Sequence, residues 1–549
     1  MVLSSKIKVP LPDHGITIRR KGKYHYVYKV LRAFRNEAGQ PTNIRKSIGK
    51  VDPEGKMLIP NDAYWDFYGD TSIASDVVPS DTVPSDTTPS DTTPAIDSVR
   101  SVGATFFIEQ LLESLGILDI LQKVFGDTMA SAIMTASEYM VCRGNVFEHV
   151  ANWCEGYTFK RPFLTSQSAS SLFSSISHEK RMAFFREWVK KQADNEYFAY
   201  DVTSFSSYAK GIAETEWGYN RDKEKLPQIN FGCYLGQNSG LPVFYTTYPG
   251  SIVDKSHMKY MMAYNETLGI DNVCFIMDRG FCTTANVKDM HASHRPYIIG
   301  VPISHKTTRA AINEVRDGIL SMRNFIKNTG VYAHSIHSRF YGVTSTIHIY
   351  WNPDMAEEQR RDLYRTVEAK EEILCQLKRL TKKDLKRYQN YFSIDLAEDG
   401  TFQYERNYEK IDDIAKSCGF FCLLTNTQLT SSDVLAIYRR KDTIEKGFDD
   451  IKNHIDMKRL RTHSSDTTDG KMFCAFIALI AATEMDNKLA VYKKEKSMSK
   501  MGLISELEKI KVVFMDDGRR LMNPITKTQR TILEYCGFSE KDLNLYISY

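Results

Sequence analysis

The chain has 549 residues, of which 42% are hydrophobic and 26% are charged, so it is long enough to bury several hydrophobic cores. Its 72 basic and 68 acidic residues give a formal net charge of only +4, so any DNA-binding surface must arise from local clustering of cations. The opening stretch MVLSSKIKVPLPDHG lacks the apolar core of a signal peptide, and the longest apolar run, MFCAFIALIAA, is too short to span a bilayer, which favours a cytoplasmic protein without a membrane segment.

The N-terminal part divides into three predicted segments. Short aromatic and β-branched runs such as KYHYVYKVLRAF, followed by the turn-rich RNEAGQPT, predict a small β-rich accessory domain over residues 1–69. The repeat VPSDTVPSDTTPSDTTP has almost nothing to bury, which predicts a flexible linker over residues 70–100. Apolar residues spaced three and four apart then predict a helical domain over residues 101–195, and its basic segment KRMAFFREWVKK favours a role in DNA binding.

Strand patterns follow the helical region. The run EYFAYDVTSFSSYA predicts a first strand, INFGCYLG and LPVFYTTY predict a hairpin, and the nearly continuous apolar run NVCFIMD indicates a strand buried on both faces. These elements predict an α/β core whose first part covers residues 196–300. A β-rich insertion is predicted over residues 301–425, the second part of the core over 426–495, and a C-terminal tail over 496–549.

Three carboxylates are placed to converge at one edge of the predicted sheet. Asp201 is predicted at the end of the first strand, Asp278 at the end of the buried strand, and Glu445 on a charged helix after the insertion. Oxygen ligands of this kind suit Mg²⁺, for which Mn²⁺ can substitute, and two such ions can cleave a phosphodiester. Asp254 precedes a predicted helix and is more simply a helix N-cap than a ligand.

The charged helix IYRRKDTIEKGFDDIKNH at residues 437–454 has one face of mixed chemistry. On a continuous α-helix, Tyr438, Lys441, Glu445 and Lys452 fall within an arc of about 60°. We therefore predict that Glu445 holds metal, while the other three contact a DNA phosphate beside it. The simpler alternative is a solvated helix with pairs such as Lys441 and Glu445 four residues apart.

These segments, taken in order, resemble the DDE transposases of bacterial insertion sequences, specifically insertion-sequence family four and close kin. The strand with Asp201 resembles the first catalytic segment, and MDRGF at 277–281 resembles the segment that carries the second aspartate. The stretch from Tyr438 to Lys452 resembles the Tyr-x2-Arg-x3-Glu-x6-Lys signature. Lys441 stands where the family has Arg, so the planar guanidinium fork is lost there and Arg440 beside it is the candidate substitute.

The resemblance implies a ribonuclease H-like catalytic core interrupted by the insertion, with Asp201 bridging two Mg²⁺ ions and Asp278 and Glu445 each completing one. It implies cut-and-paste transposition at terminal inverted repeats, in which a freed 3′-hydroxyl attacks the opposite strand and later the target DNA. The partners it implies are double-stranded DNA and a second copy of the chain, as a homodimer that synapses two ends near the nucleoid.

Two alternatives keep the same fold. One is a catalytically inactive, transposase-derived DNA-binding protein, against which the three intact carboxylates argue. The other is a ribonuclease H-like, structure-selective nuclease that needs neither inverted repeats nor strand transfer. A glycosidase with paired carboxylates is a weaker alternative, because no aromatic sugar groove is indicated near Asp201 and the lysines around Glu445 would have no role.

Overall fold

The computed structural model forms two compact units, Met1–Thr92 and Thr93–Tyr549. The residues that the structure describes are 8–12, 16–21, 24–35, 41–52, 57–61, 64, 67, 95–157, 160–192, 197–220, 222, 224–268, 274–440 and 442–548. Most of the linker predicted over 70–100, including the whole repeat, lies outside these residues.

The first unit contains an antiparallel sheet. Its strands are β1 Val9–Pro10, β2 Ile16–Lys21, β3 Tyr24–Arg35, β4 Pro41–Val51 and β5 Met57–Pro60, in the order β1-β5-β4-β3-β2. The sequence supports this arrangement because β3 is rich in aromatic and β-branched residues, which suit a pleated surface. Val27, Ile48 and Leu58 are fully buried and form its small core.

The second unit begins with a strand and continues with helices. Ile96–Ser101 form β6, although the sequence pattern assigns residues 96–100 to the linker, because this strand pairs with a partner more than 400 residues away. The helices that follow are α1 Gly103–Ser114, α2 Ile117–Phe125, α3 Asp127–Arg143, a 3₁₀ turn Phe147–His149, α4 Val150–Tyr157, α5 Ser166–Ser175 and α6 His178–Gln192.

The first part of the predicted core begins with three strands and continues with helices and two further strands. These are β7 Phe198–Ser206, β8 Gln228–Gly236, β9 Pro242–Pro249, α7 Asp254–Leu268, β10 Phe275–Met277, a 3₁₀ turn Arg279–Phe281, α8 Thr284–Ala292 and β11 Tyr297–Val301. The predicted hairpin is present, since β8 and β9 pair antiparallel. β7 pairs antiparallel with β8 and parallel with β10, which in turn pairs parallel with β11.

The predicted insertion contains both strands and helices. They are α9 Lys306–Val315, the 3₁₀ turns Arg316–Gly318 and Met322–Asn324, β12 Phe325–Ile326, β13 Val331–Phe340, β14 Val343–Trp351, α10 Pro353–Gln376, α11 Leu385–Tyr388, β15 Phe392–Leu396, β16 Phe402–Arg406, α12 Tyr408–Ala415 and β17 Phe420–Thr425. β17 pairs antiparallel with β11, so this segment extends the core sheet. Among the described residues the result is a mixed nine-stranded sheet in the order β12-β13-β14-β17-β11-β10-β7-β8-β9.

The remaining elements close the second unit. They are α13 Ser431–Arg439, α14 Asp442–Asp449, a π-helical turn Asp450–His454, α15 Ser465–Lys496, α16 Lys500–Leu507, β18 Lys511–Met515, β19 Arg520–Met522, α17 Lys527–Tyr535 and α18 Glu540–Ser548. β18 pairs with β6 and β19, so the predicted tail joins the start of this unit.

Helix α15 forms the centre of the second unit's core. Its residues from Met472 to Ala482 are almost completely buried, as expected for the longest apolar run of the chain. The helix packs against α3 and α5. Gly470 permits the close approach to α5, because a Cβ atom there would lie only 1.9 Å from the carbonyl oxygen of Phe173. The large mixed sheet and the packed helices confirm the predicted α/β class.

Candidate active site

The register of the sheet brings two of the predicted carboxylates together. In the parallel pair β7 and β10, Phe275 lies opposite Phe198 and Ile276 opposite Ala199. Continuing this register by two residues places Asp278 opposite Asp201. Neighbouring strands are about 4.8 Å apart and partners in a parallel register point to the same face, so the two carboxylates are neighbours on one face of the sheet.

The position of Asp201 differs from the prediction. It is the fourth residue of a nine-residue strand and not its end, because β7 runs on to Ser206. The continuation is held by antiparallel pairing with β8, which extends to Ser206 opposite Gln228. At the end of the strand, the Ser206 amide also donates to the Lys458 carbonyl at 3.1 Å, and the Leu460 amide donates to the Ser206 carbonyl at 3.2 Å. Asp278, as predicted, directly follows the last residue of β10.

Backbone hydrogen bonds orient both aspartates. The Oδ1 atom of Asp201 accepts a hydrogen bond from the Val202 amide at 2.8 Å, and Oδ1 of Asp278 accepts one from the Arg279 amide at 2.8 Å. The second bond caps the 3₁₀ turn formed by the MDRGF segment. Both side chains are half-buried, which leaves part of each carboxylate accessible from solvent.

Tyr438, near the end of α13, completes this part of the site. Its hydroxyl donates to Oδ1 of Asp278 at 3.3 Å. Burial, followed by the negative charge of Asp278 and its hydrogen bond, raises the pKa of Tyr438 well above its usual value, and Asp201 acts in the same direction. The tyrosine therefore stays protonated and remains a hydrogen-bond donor at neutral pH.

Gly300 on β11 leaves room for this tyrosine. A Cβ atom at position 300 would lie 2.8 Å from the Tyr438 hydroxyl oxygen and 3.1 Å from the Arg279 amide nitrogen. Sequence reasoning did not identify Gly300, because a glycine in a strand carries no local signal of which side chain approaches it.

Glu445 lies on α14, which packs on the sheet face that carries the aspartates. A Cβ atom on Gly447 would lie 2.8 Å from Cδ2 of Leu235. Leu235 lies opposite Ala199, which is two residues before Asp201 and therefore shares its face. Glu445 is exposed on this covering helix.

The predicted continuous helix over 437–454 is wrong, and so is the shared arc of about 60° derived from it. α13 ends at Arg439, α14 begins at Asp442, and a π-helical turn follows at Asp450–His454. Tyr438 and Glu445 therefore belong to different helices. The π turn, with its wider hydrogen-bonded ring, also changes the direction of Lys452 relative to Glu445. Lys441 lies outside the described residues.

The two described cations predicted to contact DNA have partners within the chain. Lys452 forms an ion pair with Asp222, at 3.0 Å to Oδ1 and 2.8 Å to Oδ2. Arg440 is exposed, and its Nη1 donates to Oδ1 of Asn238 at 2.5 Å. Asp222 was not identified from the sequence, because it lies 230 positions from Lys452 in a stretch of mixed charge without periodicity.

The donor atoms suit a hard divalent ion, since all three predicted ligands are carboxylates. However, the described residues contain no group of three or more His, Cys, Asp or Glu side chains arranged to hold a metal ion. Asp254, the predicted N-cap, is the first residue of α7 and accepts a hydrogen bond from the Tyr248 hydroxyl at 2.7 Å.

A mixed sheet in which Asp201 on β7 lies in register with Asp278, directly after the adjacent parallel strand β10, defines an α/β protein with a paired-carboxylate site. Comparison with protein families assigns the class: residues 193–481, more than half of the chain, match the model of the transposase DDE domain. The chain belongs to this family, which supports its identification as a DDE transposase.

Other comparisons give distant matches or none. A cryo-EM structure of the piggyBac transposase synaptic complex with hairpin DNA is similar with a TM-score of 0.33 and 9% sequence identity, covering 74% of this chain and 70% of that one. No curated protein matches the chain. Within the described residues, no helix combines the length and the apolar character needed to cross a membrane.

Proposed function

We propose that the chain is a metal-dependent DNA transposase that excises and integrates an insertion sequence by cleaving and joining strands at terminal inverted repeats. The observation that carries the proposal is the register that sets Asp278 opposite Asp201, with the helix of Glu445 packed on the same face. The order β9-β8-β7-β10-β11, with β10 and β11 parallel to β7, supports a ribonuclease H-like core.

Asp201, Asp278 and Glu445 are the residues that would hold two Mg²⁺ ions, with Mn²⁺ as a substitute. Such ions, when bound, lower the pKa of an attacking water or hydroxyl group and stabilise the leaving oxygen of a phosphodiester. The aspartate pair is held by backbone hydrogen bonds, whereas Glu445 is exposed on a helix. The proposal therefore requires Glu445 to complete the site when ions and DNA are bound.

Residues around the carboxylates have separate roles in the proposal. The Tyr438 hydroxyl fixes the orientation of Asp278 through its hydrogen bond. Arg440, which is exposed next to α13, offers a planar guanidinium for a DNA phosphate. Lys452 supplies a second phosphate contact, as does Lys441, which keeps a positive charge at the position of the signature arginine.

The proposed partners are double-stranded DNA, as terminal inverted repeats and target, and a second copy of the chain. Two ends must be cut and joined together, which a homodimer achieves by holding one end in each copy. The proposed location is the cytoplasm, in association with the nucleoid.

The decisive experiment separates cleavage from binding. Glu445→Gln, Asp201→Asn and Asp278→Asn should each lower the cleavage rate of end DNA in Mg²⁺ by about a thousandfold, because a lost ligand removes several kcal/mol of charge stabilisation. Affinity for end DNA should persist in all three variants. Asp254→Asn is the matched control and should leave cleavage unchanged. Asp254 also lies beside the sheet, but it accepts a hydrogen bond from the Tyr248 hydroxyl and has no proposed role in holding metal.

The alternatives predict different results for the wild-type protein. Binding to end DNA without cleavage in Mg²⁺ or Mn²⁺ would identify an inactive DNA-binding relative, whereas cleavage without strand transfer would identify a structure-selective nuclease. Ca²⁺ should permit binding with little cleavage, because it is larger and less strict in geometry. Near-normal cleavage by Glu445→Gln, or robust cleavage in excess chelator, would show the metal assignment to be wrong.

A further inference from the structure

Two acidic side chains neutralise three cations beside the candidate active site. Asp222 contacts the Lys452 ammonium with both carboxylate oxygens, at 2.8 and 3.0 Å. Glu224 pairs with the Arg459 guanidinium and lies 3.9 Å from the Lys458 ammonium. The two acids therefore cancel most of the positive charge that follows α14 along the chain.

The cations are anchored to the strand that carries Asp201. Residues 458–460 are hydrogen-bonded to Ser206, the last residue of β7, and Arg459 pairs with Ser206 as an isolated parallel bridge. Lys452 belongs to the π turn directly after the helix of Glu445. We call Lys452, Lys458 and Arg459 the basic strip; its members begin next to the Glu445 helix and end beside the far end of β7.

The acids lie on a different segment, the connection between β7 and β8. The Asn220 side chain organises this connection, because its Oδ1 accepts from the Asp222 amide at 2.9 Å while its Nδ2 donates to the Ser206 hydroxyl at 3.0 Å. The same hydroxyl donates to Glu224 at 2.8 Å. The hydrogen bond from Arg459 holds the pKa of Glu224 below its usual value, so this carboxylate is ionised at neutral pH.

Each of these ion pairs reaches the solvent in part, the Lys452 pair least. The exposed fractions of the side chains are 12% for Lys452 and 20% for Asp222, against 42% for Lys458 and 24% for Arg459. Ion pairs that reach solvent contribute little stability, since water and salt screen them. Each phosphodiester group of DNA is a monoanion with two non-bridging oxygens that accept hydrogen bonds as a carboxylate does, so phosphate can replace the carboxylates without leaving a cation buried and unpaired.

We propose that the basic strip is a phosphate-binding surface for the DNA beside the cleaved bond, and that Asp222 and Glu224 occupy it as internal competitors until DNA displaces them. This inference rests on the proposed function, because it assumes a DNA substrate at the carboxylate face. It assigns Lys458 and Arg459 to DNA binding and gives the β7–β8 connection a role in limiting the affinity for DNA.

The acids could instead position the cations for DNA, and that role predicts the opposite change in DNA affinity when the acids are removed. If Asp222 and Glu224 positioned the cations for DNA, their loss would weaken binding. If they compete with DNA, Asp222→Asn and Glu224→Gln should each tighten binding by about threefold to tenfold. The fall of log affinity with log salt should change little, because DNA displaces the acids in the wild type as well and the same cations then contact phosphate.

The test measures binding of full-length protein in Ca²⁺ to labelled duplexes by fluorescence anisotropy over a series of salt concentrations. One duplex carries a terminal repeat and the other a scrambled sequence. The acid variants should bind both duplexes more tightly than the wild type does, since phosphate contacts carry no sequence information. Lys458→Gln and Arg459→Gln should weaken binding and flatten the salt dependence. Glu214→Gln is the charge-matched control from the same connection, since Glu214 accepts from the Ser465 hydroxyl.

A double-mutant cycle distinguishes the local loss of an ion pair from the general effect of one lost negative charge on DNA affinity. The gain from Asp222→Asn should vanish in a Lys452→Gln background, whereas a purely long-range effect would survive there and would also appear in Glu214→Gln. Unchanged or weaker binding by both Asp222→Asn and Glu224→Gln would overturn the inference. Using both variants keeps the test valid if one of them fails to fold.

The results also separate this inference from the proposed function. If wild-type protein cleaves end DNA but the acid variants bind no better, the inference alone is wrong. If the acid variants bind better but no variant cleaves, the inference stands for a DNA-binding protein and the proposed catalysis is wrong. If neither the wild type nor the acid variants bind either duplex at low salt, both are wrong.

Discussion

The two aspartates and the helix that carries Glu445 are held at the same face of the sheet by different means. Asp201 and Asp278 are fixed by the hydrogen-bond register of two adjacent strands and by backbone amides next to each carboxylate. Glu445 lies on a short helix, α14, which begins at Asp442 after the end of α13 at Arg439 and is followed by a π turn. The positions of the two aspartates are therefore determined by the sheet itself, whereas the position of Glu445 depends on contacts far from the site.

The most buried of those contacts is an ion-pair cluster below the π turn. Lys500, which is only 8% exposed, lies 2.6 Å from Asp450 in the turn and 2.9 Å from Asp486 on α15. Burial raises the pKa of Asp450, and the Lys500 charge opposes that rise. This cluster connects the Glu445 helix to the core helix and has no counterpart in the contacts described for the aspartates.

The largest expected effect on stability comes from breaking this cluster, which contacts the turn after the Glu445 helix and neither aspartate. Lys500→Met leaves the largely buried Asp450 carboxylate without its cation, whereas Asp486 keeps its pair with Lys493, and it should lower the free energy of unfolding by about 3 kcal/mol. The loss should shrink as the pH falls, because Asp450, with its pKa raised further, becomes protonated and neutral in the folded protein. Urea denaturation at pH 5 and pH 8 measures both effects.

The control for this prediction is a lysine in an exposed pair. Lys509→Met removes the partner of Glu506 three positions earlier and should change the unfolding free energy by less than about 1 kcal/mol. Equal losses for Lys500→Met and Lys509→Met would contradict the role given to the buried cluster.

A second prediction disturbs the aspartate side without touching a carboxylate. Gly300→Ala places a methyl group 2.8 Å from the Tyr438 hydroxyl oxygen and should displace the tyrosine from Asp278. Cleavage should fall about tenfold to a hundredfold, the value of a hydrogen bond to a charged group, while DNA affinity stays within about twofold. Single-turnover rates and anisotropy check the two quantities.

The same contact can be tested by a double-mutant cycle. Tyr438→Phe removes the hydroxyl that the new methyl would meet, so it should lower cleavage by itself and lose little more when combined with Gly300→Ala. Fully additive effects would show that Gly300 acts on something other than the Tyr438 contact with Asp278.

The aspartate pair and the helix that carries Glu445 also differ in how far the sequence predicts their structure. The run NVCFIMD correctly predicts a buried strand directly before Asp278, because a continuous apolar stretch is typical of a strand buried on both faces. The run EYFAYDVTSFSSYA does not predict that β7 continues past Asp201 to Ser206, since that extension depends on pairing with β8. The pairing of Asp201 with Asp278 required only the parallel register of the two strands.

The charged helix was harder to predict for a physical reason. Residues 437–454 contain no proline and only Gly447 as a weak helix breaker, so local propensity favours one continuous helix. The π turn coincides with a buried ion pair to Lys500, a residue 50 positions away, and Lys452 is held by Asp222, 230 positions away. Helical periodicity carries no information about either partner, and the arc of charged residues was therefore misleading.

A third prediction concerns His454, the last residue of the π turn. Burial lowers its pKa from 6.5 to about 4, the nearby Lys500 and Lys493 lower it as well, and Asp486 opposes them. Between pH 6.5 and about 4 the unfolded chain binds a proton that the folded chain does not, so stability should fall as the pH decreases through this window.

The contribution of His454 is measured by comparison with a variant that cannot titrate. His454→Gln should abolish a slope of up to about 1.4 kcal/mol per pH unit within that window, seen in urea denaturation at pH 7, 6 and 5. Parallel pH profiles for the wild type and His454→Gln would show that this histidine does not link the turn to pH.

The smallest expected effect is at Arg440, which lies between the two sides. Its guanidinium donates to the neutral amide of Asn238 and is exposed, in contrast to Lys452, whose charge is compensated by Asp222. Arg440→Ala should therefore change the free energy of unfolding by less than about 0.5 kcal/mol. If Arg440 contacts a phosphate, affinity for end DNA should fall a few-fold, and the salt dependence should become shallower by about 0.9.

Arg439→Ala is the matched control, because Arg439 is an exposed arginine one position earlier that aligns with no residue of the family signature. Identical binding curves for the two variants would mean that Arg440 does not replace the arginine missing at position 441, and that the phosphate grip on this side depends on the basic strip.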